Sequence, residues 1–364
     1  MAEPAPTGGD GGPADVVDEA APTAADAATR TSSNQHLKTG ERHHLVTPAL
    51  AAGESPTTTA WEIRAWYGYY VGSNGLALFN FGPTAFQNLL SQAAPADTGL
   101  LPFAGRPRSV NSIVLLSNGV SFALQTVLFL AIGAYADFGR GRRWLLMAWS
   151  VLAYAVGFAW LGVHDPAKWK VAVGLYIVGL ICYQLTLTYW TAAFPSLARN
   201  TAHIKEARQK YEDGEITLAD LDQQDEMERS RLSNVSFYIQ SVAEVFILAV
   251  IVGIMFGVDV TAGPSQNNWG LSVLIAFATA VWLAVSLPWF VLEKSRPGMQ
   301  VPPGHSMLTV GFWQLREAFT QMWQLKQSLV YLAGYFLLGD SLNTTVTTVS
   351  TLQNAVVSYD TLKL

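Results

Sequence analysis

The chain has 364 residues, 50% hydrophobic and 13% charged, with a formal net charge of −5 and one cysteine. Soluble domains carry about 25% charged residues, so the composition argues against a water-soluble globule, and the acidic balance offers nothing to a nucleic acid. The lone Cys182 can form neither an intrachain disulfide nor a cysteine metal site, and a small packing residue is its expected role.

Residues 1–59 are rich in Ala, Pro, Gly, Asp and Thr and poor in large apolar side chains, which predicts a disordered tail. No apolar signal-peptide core follows Met1, so the first membrane helix is expected to act as the targeting signal. From Trp66 onward come seven long apolar stretches, at 66–90, 110–136, 144–163, 171–194, 235–258, 269–292 and 328 to about 359. A bilayer core of about 30 Å needs roughly 20 apolar residues as helix, and a lipid-exposed backbone must satisfy its own hydrogen bonds. The expected fold class is all-α: a polytopic membrane bundle of six helices over 60–293, a linker over 294–327 and a seventh helix over 328–364.

The first stretch is unusual. Tyr67, Tyr69, Tyr70, Ser73, Asn74, Asn80 and Gln87 interrupt it, along with Gly72, Gly75, Gly82 and Pro83. Gly and Pro free backbone groups that must find partners or line a cavity, and such discontinuous helices present dipole ends to zwitterionic ligands in transporters. Close helix packing through Gly72 and Gly75 is the competing reading. The stretch over 110–136 carries no charge, and Arg140, Arg142 and Arg143 follow it.

Gln184, Thr186 and Thr188 in the fourth stretch and Gln240 in the fifth extend a polar lining. Between them, 198–233 mixes acids and bases and reads as a solvated, partly helical loop. Glu244 and Asp340 stand at membrane depth, where ionisable residues are costly and usually functional. Glu244 is a proton-coupling candidate, or else an interfacial residue paired with a base such as Arg142. Asp340, beside Ser341, Asn343, Thr344 and Thr345, is a candidate for both substrate and proton contact. The substrate-binding candidates are thus Asn74, Asn80, Gln184, Gln240, Asp340 and Asn343. Phe312, Leu315, Phe319, Met322 and Trp323 recur at helical spacing over 311–327, which predicts an amphipathic helix at the membrane surface or against the bundle ends. Lys and Arg concentrate in alternate connections, placing the N-terminus in the cytoplasm. No nucleophile elbow, HExxH, P-loop or paired metal ligands occur, so an enzyme, a metal and a cofactor are not expected.

The segment Gly133-Ala-Tyr-Ala-Asp137-Phe-Gly-Arg140-Gly-Arg142-Arg143 resembles the major facilitator superfamily signature between its second and third helices. Phe138 replaces the usual basic residue, and the second glycine falls one place late, at Gly141. The resemblance implies a cytoplasmic gating charge lock made by Asp137, Arg140, Arg142 and Arg143. Trp61-Glu-Ile-Arg64-Ala-Trp66-Tyr67, Phe194-Pro195-Ser-Leu-Ala-Arg199-Asn200 with Arg231-Leu-Ser-Asn234, and Gly339-Asp340-Ser-Leu-Asn343-Thr-Thr through Leu352-Gln353-Asn354 resemble the fungal autophagy-related vacuolar amino-acid effluxers. That family implies a multi-pass vacuolar membrane transporter, exporting amino acids such as leucine by alternating access, with protons as candidate coupling ions. The superfamily implies two six-helix halves around a midplane site. The chain ends after its seventh stretch, so a fragment of a longer transporter is expected, or a half that assembles with another copy. The alternatives are a non-transporting membrane scaffold or regulatory subunit docking through 198–233, and a seven-helix receptor. The receptor needs an exterior N-terminus, against the Lys/Arg bias.

Overall fold

The computed structural model describes residues 55–74 and 78–356. The expected tail up to residue 54, the glycine at 75 and the end of the seventh stretch lie outside the described residues. The helices run α1 Ala60–Ser73, α2 Leu78–Ala93, α3 Val110–Ile132, α4 Arg142–Ala159, α5 Trp169–Thr191, α6 Phe194–Arg199, α7 Ala202–Glu212, α8 Leu218–Val258, α9 Pro264–Leu292, α10 Met307–Gln324 and α11 Lys326–Val356. A hairpin the all-α reading did not foresee joins α2 to α3, with β1 Leu100–Phe103 antiparallel to β2 Arg106–Ser109.

Among the described residues, five segments are helices long and apolar enough to cross a membrane: Val110–Ala136, Arg142–Gly162, Pro166–Arg199, Leu218–Val258 and Pro264–Leu292. The other two expected spans differ. The first is two helices of 14 and 16 residues, each only about 21–24 Å long at 1.5 Å per residue. The first ends at Ser73 with Asn74 as its cap, and Pro83 sits inside α2. The seventh forms a helix of 31 residues, but the polar run from Asp340 onward keeps it out of the strongly apolar set.

Aromatic stacking holds α1 in the bundle. The Trp66 and Trp190 rings stack at 4.5 Å, and Tyr70 stacks on Trp190 at 4.6 Å. Each indole donates to the other residue's carbonyl, Trp190 to Trp66 at 3.2 Å and Trp66 to Trp190 at 3.5 Å. Polar side chains at membrane depth find one another, as a water-free interior demands. Tyr69 bonds Ser150 at 2.9 Å, Tyr154 bonds Ser286 at 2.7 Å, and Tyr176 donates to Asn118 at 2.8 Å. These bonds cross α1–α4, α4–α9 and α5–α3, so they fix helix register as well as satisfying the groups.

The segment over 198–233, read as a solvated, partly helical loop, is largely helix. The short α6 and α7 lead into α8, whose 41 residues run unbroken from the charged region into the fifth span. Thr217 and Asp220 form a capping box at its start, satisfying orphan backbone donors. Asp225–Arg229 and Glu228–Arg231 pair along its first turns, and such pairs at one-turn spacing support helix in place of a loop. Beyond them Val245, Phe246, Val250 and Phe256 are exposed, as on a face turned to lipid.

The linker over 294–327 is packed against the bundle. Met299 donates to the Asp137 carbonyl at 2.7 Å, and Gly298 to the Gly139 carbonyl at 3.0 Å. On α10, Val310 is fully buried beside Ala134 and Phe138. Phe312, Leu315, Phe319 and Trp323 are exposed. One face of this helix therefore packs on the bundle, as one of the two expected roles required, while the other presents an exposed apolar stripe.

At Gly72 the α1 backbone approaches α9 so closely that an added Cβ would lie 2.6 Å from the Cα of Trp282. Backbone cannot yield as a side-chain tip can, and overpacking costs roughly 1–3 kcal/mol. Gly72→Ala is expected to lower the melting temperature of the detergent-purified protein by several degrees. Gly174→Ala, with open space around it, should leave it unchanged. Equal melting for the two variants would show that α1 does not pack this way.

Candidate functional site

Two polar constellations stand out, one beside the end of α1 and one at the charged end of the bundle. The first forms where α1 stops. Asn74 lies just past the last turn, and its amide donates to Glu244 Oε2 at 3.1 Å. Gln240, one turn before Glu244 on α8, donates to the same oxygen at 2.6 Å. Gln240 is buried, while Asn74 and Glu244 are half-buried. Three residues singled out from the sequence thus meet at one carboxylate. Glu244 does not pair with Arg142, because that guanidinium is taken by Glu293. Two amides hold this carboxylate, and among the described residues it forms no ion pair with a cation.

The other candidates are not gathered here. Gln184 is half-buried on α5, where its carbonyl accepts from the Thr188 hydroxyl at 2.9 Å. Asp340 is exposed on α11 and forms no ion pair among the described residues. Asn80 lies in α2 and Asn343 in α11; their side chains are outside what the structure describes.

The second constellation is an ion-pair network that sequence reasoning missed. Arg296 forks onto Glu62, with bonds of 2.7 and 2.8 Å, and the two side chains are 2% and 0% exposed. The same guanidinium donates to Pro56 O at 3.1 Å and Thr58 Oγ1 at 3.0 Å. The Lys294 amide adds a third donor to Glu62, at 3.0 Å. Thr58 in turn donates to the carbonyls of Asn200 at 2.8 Å and Leu197 at 2.9 Å. The strap from residue 55 to Glu62 is thereby stitched to the end of α6 and to the segment after α9. Locally Glu62 reads as a capping residue, since Thr59 caps α1 and accepts from its amide at 3.3 Å. Its side chain goes instead to a partner 234 positions away.

The signature arginines join this end. Arg142 pairs with Glu293 at 2.9 Å and donates to the Ala192 carbonyl at 3.0 Å. Arg143 donates to the carbonyls of Glu293, at 3.2 Å, and Phe290. Burial pushes the Glu293 carboxyl above its usual range, against the pull of Arg142 and Arg143. Asp137 behaves differently from the expected lock. Its carboxylate accepts from Gln314 on α10 at 3.2 Å, and among the described residues it pairs with no arginine. The physical reason is competition: α9 ends in an acid of its own, Glu293, already beside Arg142. Arg140 is exposed. Gly139, at φ +77, takes a turn that L side chains rarely adopt, and a Cβ on Gly298 would sit 2.7 Å from its carbonyl. The two glycines let the connection after α9 lie flat along the signature segment.

The model of the vacuole effluxer Atg22-like family matches residues 58–364. The chain belongs to that family. Its match begins at the strap residue Thr58 and so takes in the first constellation and all of the second but Pro56. Curated relatives include autophagy-related protein 22 of Coccidioides immitis, 24% identical over 304 residues, covering 72% of this chain and 49% of the relative. Autophagy-related protein 22-1 of Aspergillus fumigatus is 24% identical over 306 residues, covering 66% and 49%. Its namesake in Phaeosphaeria nodorum is 20% identical over 350 residues, covering 82% and 62%. The chain spans about half the length of the first two. No solved structure matches it. Membership in an effluxer family leaves the seven-helix receptor without support.

Removing one partner of a buried ion pair strands the other charge and costs roughly 3–5 kcal/mol, whereas removing both can be nearly neutral. Arg296→Ala and Glu62→Ala should each lower the melting temperature markedly, and the double variant should recover much of the loss. Additive losses in this cycle would mean that the pair is not coupled.

Proposed function

We propose that this chain forms the transport bundle of a vacuolar membrane effluxer, which exports amino acids, leucine among them, released by autophagic degradation. The observation that carries the reading is the convergence of Asn74, Gln240 and Glu244 where α1 breaks. A carboxylate at membrane depth beside an interrupted helix has what an amino-acid site needs. It can receive the substrate ammonium, while freed backbone donors at a helix break can receive the carboxylate. Family membership supports the vacuole and the effluxer role. In the proposed mechanism the bundle rocks against a second half, supplied by further chain or by another copy, and exposes the cluster to each side in turn. Glu244 and Asp340 take up and release the coupling proton, and Asn80, Gln184 and Asn343 complete the lining.

Glu244→Gln keeps the hydrogen-bonding shape and removes the titratable group. In vacuolar vesicles loaded with labelled leucine, it should abolish the pH dependence of efflux and slow it at least tenfold. Asp340→Asn should also remove the pH dependence. Efflux that follows the wild-type profile at every pH in both variants would sink the proton-coupling role.

The charged end is proposed to face the cytosol, with the N-terminus on that side, because short cytoplasmic connections carry the excess of Lys and Arg. An epitope fused to Met1 should be digested when protease is added to intact vacuoles. Full protection of the tag would reverse the orientation.

A further inference from the structure

The start of the strap is gripped by cations that no acid answers. Lys205 on α7 donates to the Ser55 carbonyl at 2.5 Å and to the Thr57 hydroxyl at 3.2 Å. Lys294, just after α9, donates to the Thr57 carbonyl at 3.0 Å. Neither lysine forms an ion pair among the described residues. What they meet on the strap is neutral. Beside them Ser55 lines a cleft together with Arg140 and Arg199, which also pair with no acid among the described residues. The acids on the same wall are held elsewhere, Glu293 by Arg142 and Asp137 by Gln314. Arg208 and Arg229 add positive charge around Arg199, and Asp225, the acid in range, is paired with Arg229.

The strap itself selects the anion that would fit. It carries four hydroxyls, on Ser55, Thr57, Thr58 and Thr59. The Thr57 hydroxyl accepts from Lys205, the Thr58 hydroxyl donates to the Leu197 carbonyl, and the Thr59 hydroxyl caps α1. Ser55 is half-buried, and among the described residues its hydroxyl has no partner. Pro56 follows it directly. A proline keeps the residue before it out of helix and extended, the form in which a proline-directed kinase takes its substrate. The sequence has two Ser/Thr-Pro steps, Thr47-Pro48 and Ser55-Pro56, and the first lies outside the described residues. A phosphoserine carries about −1.5 to −2 charges at pH 7, and opposite basic side chains it makes roughly one to three charge-assisted hydrogen bonds.

We propose that Ser55 is a phosphorylation site for a proline-directed kinase, and that its phosphate docks beside Lys205 and Arg199 and pins the strap to α7. In the transfer, Ser55 Oγ bonds the γ-phosphorus of a nucleoside triphosphate. The bond from that phosphorus to the β,γ-bridging oxygen breaks, the diphosphate leaves, and the hydroxyl proton passes to the base of the kinase. Lys205 already reaches this residue through its carbonyl, so the phosphate gives it a full charge in place of a dipole. The strap leads through Thr58, bonded to the end of α6, into Glu62. Pinning it therefore fixes the start of α1 against α6 and α7. The docking chemistry does not depend on the transport reading, and only access for a cytosolic kinase rests on the proposed orientation.

The test starts from the purified full chain in detergent, incubated with ATP and a mitogen-activated protein kinase and mapped by mass spectrometry. Phosphate is expected on Ser55, and that peptide should stay unmodified in Ser55→Ala and in Pro56→Ala, which keeps the hydroxyl. Hydrogen exchange then reads the docking. The Thr58 amide donates to the Asn200 carbonyl, and exchange of the strap amides should slow at least tenfold on phosphorylation and recover after phosphatase treatment. That comparison needs no variant. The double variant Arg199→Gln/Lys205→Gln should still take the phosphate and lose the slowing. Chain purified from a fungal expression host should carry the same phosphate. No phosphate on Ser55 in vitro, strap exchange unchanged or faster after phosphorylation, or slowing that survives the double variant would overturn the proposal. Phosphate taken up in vitro but missing from the cell-derived chain would overturn the cytosolic placement instead.

Discussion

A guanidinium withdrawn from water has to be matched by an anion of fitting shape, and Arg296 is matched by Glu62 on two parallel bonds. That requirement organises one end of the molecule. Glu62 can reach Arg296 only if α1 starts beside the end of α9, and Thr58 can bond Asn200 and Leu197 only if the strap crosses the foot of the bundle. The pair adds little net stability once desolvation is counted. What it fixes is position: a wrong register would leave a charge buried alone.

The same rule works at lower stakes between the helices. Hydroxyl and amide groups at membrane depth have no water to return to, so they bond across helix pairs, Tyr69 to Ser150 and Tyr154 to Ser286. The cluster at Glu244 departs from this pattern. Its carboxyl group is met by two neutral amides and, among the described residues, by no cation. The bundle thus holds one acid by an ion pair at its end and another by hydrogen bonds alone.

The spans were legible in the sequence because hydropathy over roughly 20 residues is a strong, local signal. The broken first helix was legible too, from its load of polar and small residues, though not the break point. Pro83 was read as an interruption alongside the glycines, yet it is absorbed inside α2, while α1 ends at Ser73. Asn74, Gln240 and Glu244 were chosen individually as polar groups in apolar surroundings, and their meeting is a tertiary fact. Glu62 was illegible as a partner because its neighbourhood supplied an adequate local role as a cap, and its actual partner is 234 positions away. The charged stretch before the fifth span was read as solvated and partly helical, and its pairs, one turn apart, carry the helix through more of it than that reading gave.

The length of α8 has a mechanical consequence. Its 41 residues make a rod of about 62 Å, roughly twice the membrane core. Glu244 sits well along it, so about 39 Å of the same helix lies between that residue and Leu218. A rigid rod is a lever. A tilt of about ten degrees around Glu244 would sweep the far end through about 7 Å, given that length. One unbroken helix thus joins Glu244 to the charged surface near Leu218 without a joint between them.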